Sequence, residues 1–137
     1  MFRLLLILAL LFAAPAVRAA DAVMSAPEAR AAVTDGTRVL IDLRTLPEQA
    51  TTGVPQGALR IGWWRPGDPK GFVDDVLAAV AGDRSRPVAL ICAGGSRSSA
   101  ARTLLLANGF TDVADVSEGV SGSAAGPGWR ARGLPME

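Results

Sequence analysis

The chain of 137 residues contains no histidine at all and a single cysteine, Cys92. The missing imidazole removes Cys-His and Ser-His catalysis and every histidine-based metal site, so any chemistry must work without a histidine base. One cysteine excludes an internal disulfide. The acidic residues are scattered without an EF-hand spacing, and there is no basic run and no aromatic stacking cluster. We therefore expect no metal, no cofactor and no nucleic-acid partner. Long apolar runs are also lacking. The stretch from Leu4 to Val17 falls short of the ~20 residues needed to span a bilayer.

What that stretch does offer is a positive start, Met1-Phe-Arg3, an apolar middle, and small residues around Ala19. This is the pattern of a cleaved export signal covering residues 1–19. The expectation is a periplasmic or secreted protein with no stable membrane insertion once the signal is gone. Removing it discards Arg3 and Arg18 and moves the formal charge from +1 to −1. The remaining 118 residues, 20–137, form one nearly neutral domain, long enough to bury a core without disulfides. A monomer is the default.

Along that domain, Ser25 three positions before Glu28 is a capping-box signature for a short helix, closed by Asp35-Gly36. Strands are expected at 38–43, 58–63, 88–91 and 113–116, with a short extended piece at 21–24. Residues 46–56, with two prolines and a glycine, read as a loop or a single helical turn. Phe72, Val73, Val76, Leu77 and Val80 recur at helical spacing. A second helix is expected over 97–108, ended by Gly109. Strands alternating with helices indicate an α/β fold, a parallel sheet of about five strands with helices on both faces. In such sheets ligands bind beyond the carboxyl ends of the strands, where both Asp42 and Cys92 fall. The glycine- and serine-rich stretch 119–128 reads either as an ordered loop leading to Trp129 or as a flexible terminus.

Cys92 follows the apolar strand 88–91 and precedes Ala93-Gly-Gly-Ser-Arg97, where the next helix opens. An inert buried thiol is one reading of a cysteine at this place. The other is a nucleophile. Gly94 and Gly95 allow the backbone to turn its amides toward the sulfur, and the helix N-terminus adds a field of the same sign, both favouring the anion. Arg97 serves either as an electrostatic partner of the sulfur or as a brace paired with Asp42. Arg44 and Arg60 either steer an anionic donor or lie solvated at the surface. Ser98 and Ser99 read as caps or packing residues, since no base is present to activate a hydroxyl. Only four residues separate Cys92 from Arg97, fewer than the five that cysteine phosphatases use to encircle phosphate.

Cys92-Ala-Gly-Gly-Ser-Arg-Ser98 resembles the active-site loop of the rhodanese family, Cys-x-x-Gly-x-Arg followed by Ser or Thr. Leu40-Ile-Asp-Leu-Arg44 resembles that family's strand ending in Asp-x-Arg, with Glu48 at a position where an acidic residue is common. Gly53-Val-Pro-Gln-Gly-Ala58 resembles a Gly-His-Ile-Pro-Gly-Ala element, with Val54 and Gln56 as departures. The helix at 100–110, Trp129 and Gly133-Leu-Pro135 resemble the remaining motifs, and Val120 departs from a common second glycine. The resemblance implies a rhodanese-like fold and a sulfurtransferase. Cys92 would take a sulfane sulfur from a small anionic donor such as thiosulfate, hold it as a persulfide, and pass it to cyanide, a thiol or a protein. The loop Ala93, Gly94, Gly95, Ser96 and Arg97 would bind the anion, supported by Asp42, Arg44 and Ser98. A non-catalytic module for partner docking or thiol redox sensing is the alternative.

Overall fold

The computed structural model describes residues 22–63 and 68–137. The expected export signal, and Trp64 with part of the polar loop after it, lie outside them. The order of elements is α1 (Ala26–Thr34), β1 (Val39–Asp42), α2 (Leu46–Thr52), β2 (Leu59–Arg60), α3 (Pro69–Ala79), β3 (Val88–Ile91), α4 (Ser96–Ala107) and β4 (Val113–Asp115). The four strands make one parallel sheet in the order β2-β1-β3-β4. The expected piece at 21–24 contributes a single parallel bridge, Val23 to Asp115, rather than a fifth strand. No helix among the described residues is long and apolar enough to cross a membrane.

The sheet is buried on both faces, and strand alternation assigns side chains to each. Ile41, Leu43, Val88, Leu90 and Cys92 pack with Phe72, Val73 and Val76 of α3 and Ala101 and Leu105 of α4. Leu40, Ala89 and Ile91 face the other way, onto Ala26 and Ala29 of α1 and onto Trp129 from the C-terminal segment. The chain leaves β1 toward β2 on one side, then crosses to β3 on the other. The direction of winding therefore reverses between β1 and β3, the crevice where open α/β sheets receive ligands. Cys92 directly follows β3 at that place.

Two helices start with reciprocal capping boxes. Ser25 with Glu28 begins α1 as the sequence indicates, and Thr45 with Glu48 begins α2. The second replaces the loop or single turn expected over 46–56 by a seven-residue helix. Pro47 lies in its first turn, where a missing N–H costs nothing.

Of the two readings of the C-terminal stretch, the ordered one holds. Trp129 is fully buried, its indole N–H donates to the Pro135 carbonyl (2.9 Å), and its amide donates to Gly119 (2.9 Å). Buried Glu118 accepts from Arg132 (2.8 Å) and from the Ala26 amide at the start of α1 (2.9 Å). Those donors hold its carboxyl below the usual range, with Arg132 contributing most. At the chain's end, Val54 and Glu137 exchange backbone bonds of 2.8 Å, so Val54 sits buried beside the terminal residues.

Candidate active site

The strand places Cys92 with its side chain on the α3/α4 face, in contact with the apolar cluster and wholly buried. Around the sulfur, the Gly95 amide donates to Sγ at 3.1 Å and the Ser98 amide at 3.4 Å. The Ser98 hydroxyl lies 3.4 Å from Sγ and 3.1 Å from the Gly95 carbonyl. Among the described residues the amides of Gly94, Ser96 and Arg97 have no backbone acceptor. Those of Ser96 and Arg97 are orphan donors of the first turn of α4. Such a loop and helix start form a concave set of donors suited to a negative charge.

Gly95 makes this geometry possible. Its φ of +93° lies in the left-handed region, and a Cβ there would collide with the Ser117 carbonyl oxygen. Gly94 has no such conformation among the positive-φ glycines, so of the expected pair it is Gly95 that the turn requires. The segment after β4 holds the loop from behind. Val120 and Ser121 donate their amides to the carbonyls of Cys92 and Ala93, each at 2.9 Å. With its carbonyls drawn that way, the loop leaves its N–H groups for the sulfur. Gly119 allows the approach, because a Cβ would strike the Ala93 carbonyl. This bracing role of 117–121 has no signal in the sequence beyond the glycine itself.

Arg97 does not pair with Asp42. Its two terminal nitrogens donate to the two carboxylate oxygens of Glu48, at 2.8 and 2.7 Å. Asp42 instead meets Arg44, whose Nε and Nη2 donate to its carboxylate at 3.1 and 2.8 Å. Strand alternation explains the exchange. Residue 42 pairs in register with Ile91, and Cys92, one residue on, points to the opposite face. An arginine on the sulfur's side of the sheet is therefore turned away from Asp42.

Arg44 is buried with only 2% of its side chain exposed, and it also donates to Thr52 Oγ1 and the Gly53 carbonyl, each at 2.8 Å. It steers no anion. Asp42 and Arg44 tie the end of β1 to α2 and thus fix the helix that presents Glu48. Arg60 is exposed at the end of β2.

The fork between Arg97 and Glu48 pulls the Glu48 carboxyl down to about 2, the arginine hydrogen bonds outweighing all other causes. The guanidinium is held charged in turn, chiefly by Glu48 and further by the nearby Cys92 sulfur. A depressed carboxyl stabilises the fold fully above its unfolded value of 4.5, and that contribution fades as pH falls toward about 2. Both partners are partly exposed, so the pair is worth about 1 kcal/mol or less. We predict that the fold loses this pair's contribution, about 1 kcal/mol or less, between pH 4.5 and 2 in urea unfolding of the wild type. Glu48→Gln should show no such loss over that window.

Ser98, expected to be a cap or packing residue, touches the sulfur directly. A hydroxyl has one proton, which serves either the Gly95 carbonyl or an ionised sulfur. Ser98→Ala is expected to slow Cys92 alkylation by iodoacetamide at neutral pH by about tenfold or more, the worth of one hydrogen bond to a charged group. An unchanged rate would make the hydroxyl a packing feature only.

Comparison with known proteins gives the same picture. The Rhodanese-like domain family profile matches residues 25–125. The solution structure of a rhodanese-like domain from Anabaena sp. superposes with a TM-score of 0.65 at 22% identity, over 85% of this chain and 79% of that one. The human single-domain sulfurtransferase gives 0.53 at 22% identity, over 72% and 90%. A thiosulfate sulfurtransferase from Pseudomonas aeruginosa gives 0.61 at 24% identity, over 83% of this chain but 19% of that much longer one. No curated protein matches at the sequence level. A sheet wound as here, a sulfur cradled by Gly95 and Ser98 at the β1/β3 switch point, and a profile match across most of the described chain agree: the protein belongs to the rhodanese-like domain family.

Proposed function

We propose that the protein is a sulfurtransferase that carries sulfane sulfur on Cys92. The observation that bears most weight is the pair of amides, Gly95 and Ser98, aimed at a strand-end sulfur beside an arginine. They stabilise a thiolate without a base, as a chain lacking histidine requires. With thiosulfate as donor, the Cys92 thiolate attacks the outer sulfur. The donor's S–S bond breaks, its electron pair leaves on sulfite, and Cys92 holds a persulfide anion. An acceptor nucleophile then attacks the outer persulfide sulfur, and Cys92 leaves as thiolate.

The donor is small. Cys92 is covered by its loop, in which Gly94 and Ser96 are exposed and carry little or no side chain. Full burial weighs against a mixed disulfide with a protein, which needs two Cα atoms within about 7 Å. The four-residue interval before Arg97 weighs against phosphate. Residues 1–19 would deliver the enzyme to the periplasm or outside the cell as a monomer. Steady-state formation of thiocyanate from thiosulfate and cyanide tests the reading. Cys92-dependent turnover supports it, whereas turnover of an aryl phosphate in its place would overturn it.

A further inference from the structure

Glu118 lies inside the stretch that backs the cysteine loop, yet its side chain reaches the start of α1, which packs on the face of the sheet opposite Cys92. Its sequence neighbours all meet the loop. The Ser117 carbonyl oxygen fills the place a Cβ of Gly95 would take, Gly119 leaves room for the Ala93 carbonyl, and the Val120 and Ser121 amides donate to the Cys92 and Ala93 carbonyls at 2.9 Å each. Glu118, 2% exposed, binds elsewhere. Its Oε1 accepts from the Ala26 amide at 2.9 Å and from Arg132 Nε at 2.8 Å, and its Oε2 accepts from Arg132 Nη2 at 2.8 Å. The Ala26 N–H belongs to the first residue of α1, one of the donors a helix cannot satisfy itself. With Ala26 and Ala29 wholly buried against the sheet, α1 is a fixed reference for whatever is tied to it. A Cβ at Gly126 would strike Oε2, so the stretch after Ser121 also folds around this carboxylate.

We propose that Glu118 is a positioning residue for Cys92: by tying 117–121 to α1 and Arg132, it sets the direction of the N–H groups in the cysteine loop. This rests on the sulfurtransferase reading, which requires the thiolate those groups stabilise. The influence runs through the backbone. A trans peptide is a rigid plane whose N–H points opposite to its carbonyl, and Val120 and Ser121 hold the carbonyls of Cys92 and Ala93. The N–H groups of Ala93 and Gly94 are thereby turned away from the 117–121 segment, and Gly95 follows directly. Sign separates this role from simple electrostatics. Neutralising Glu118 removes a negative charge, which by itself makes a nearby thiolate easier to form. Loss of position makes it harder.

Alkylation of Cys92 by iodoacetamide, with no sulfur donor present, reads the thiolate directly. In wild type the ratio of the rate at about pH 6 to that at about pH 10 should exceed the ratio for a free cysteine peptide, whose thiol titrates near ~8.5. Glu118→Ala should lower the protein's ratio about tenfold, as for one weakened hydrogen bond to a charged group, while the rate at about pH 10 stays close to wild type. Glu118→Gln, which keeps an acceptor for the Ala26 amide, should lower it by less and covers the case in which the alanine variant does not fold. Arg38→Met is the control for lost stability. Arg38 bridges Asp112 (2.7 Å) and the Val88 carbonyl (3.1 Å) at the amino end of the sheet, so its loss should leave the ratio unchanged. A wild-type ratio above the peptide's that is equalled or exceeded in the folded Glu118 variants overturns the positioning role and leaves the sulfurtransferase standing. An equal drop in Arg38→Met overturns it as well. A wild-type ratio no higher than the peptide's removes the stabilised thiolate, and the sulfurtransferase reading falls together with the role of Glu118.

Discussion

Cys92→Ser is expected to end sulfur transfer altogether, lowering turnover on the order of a thousandfold or more, down to the uncatalysed rate. The hydroxyl that replaces the thiol meets the same amides of Gly95 and Ser98. It has neither the acidity to ionise there nor a base to take its proton, because the chain contains no histidine. An oxygen also forms no stable equivalent of a persulfide. The change in size is small and Cys92 has no structural bond to lose, so the unfolding midpoint should stay close to wild type. Circular dichroism on the same sample verifies this, and retained turnover in a folded variant would place the nucleophile elsewhere.

The second large effect concerns stability. Arg44→Met is expected to cost about 3–5 kcal/mol, because it leaves the Asp42 carboxylate fully buried without its cation. Thr52 Oγ1 loses its donor as well, and the Gly53 carbonyl keeps only the Thr52 hydroxyl. Against a total stability of about 5–15 kcal/mol, this approaches unfolding. For a domain of this length the loss corresponds to a fall in Tm of roughly 10–20 °C. Adding Asp42→Asn should restore part of it, since the amide removes the stranded charge. Urea unfolding of the two variants measures both numbers. A single variant within ~1 kcal/mol of wild type would mean that water replaces the guanidinium.

These two results bear on opposite sides of what the sequence discloses. The cysteine, its four-residue interval to Arg97, and the apolar strand before it are local, so residue order alone locates the nucleophile and the loop. The pairing of the arginines is not local. Two carboxylates, Asp42 and Glu48, lie six residues apart, and which of them meets Arg97 depends on the face to which each is turned. Alternation along β1 decides that, and α2 brings Glu48 across. The helix itself was legible, since Thr45 and Glu48 repeat the spacing of Ser25 and Glu28. Pro47 and Gly53 argue for a loop only until Pro47 is seen to occupy the first turn, and Gly53 to lie just past the last.

The C-terminal segment shows the limit in another way. Its glycines and serines suit a flexible tail as well as a packed one. Trp129 inserted under the sheet, and Glu118 shared between Arg132 and the start of α1, decide for packing. Both contacts join residues far apart in the chain. By closing on Cys92 and Ala93 from behind, this segment turns an ordinary strand end into a cradle for an anion.

Sulfur carriage by Cys92 is tested by the intact mass of the purified protein after brief exposure to thiosulfate under anaerobic conditions. The expected result is a species heavier by one sulfur atom, located on Cys92 by fragmentation, absent from Cys92→Ser, and returned to the starting mass by cyanide with release of thiocyanate. A folded wild-type protein that stays at its starting mass with thiosulfate, and likewise with a polysulfide donor, would contradict it.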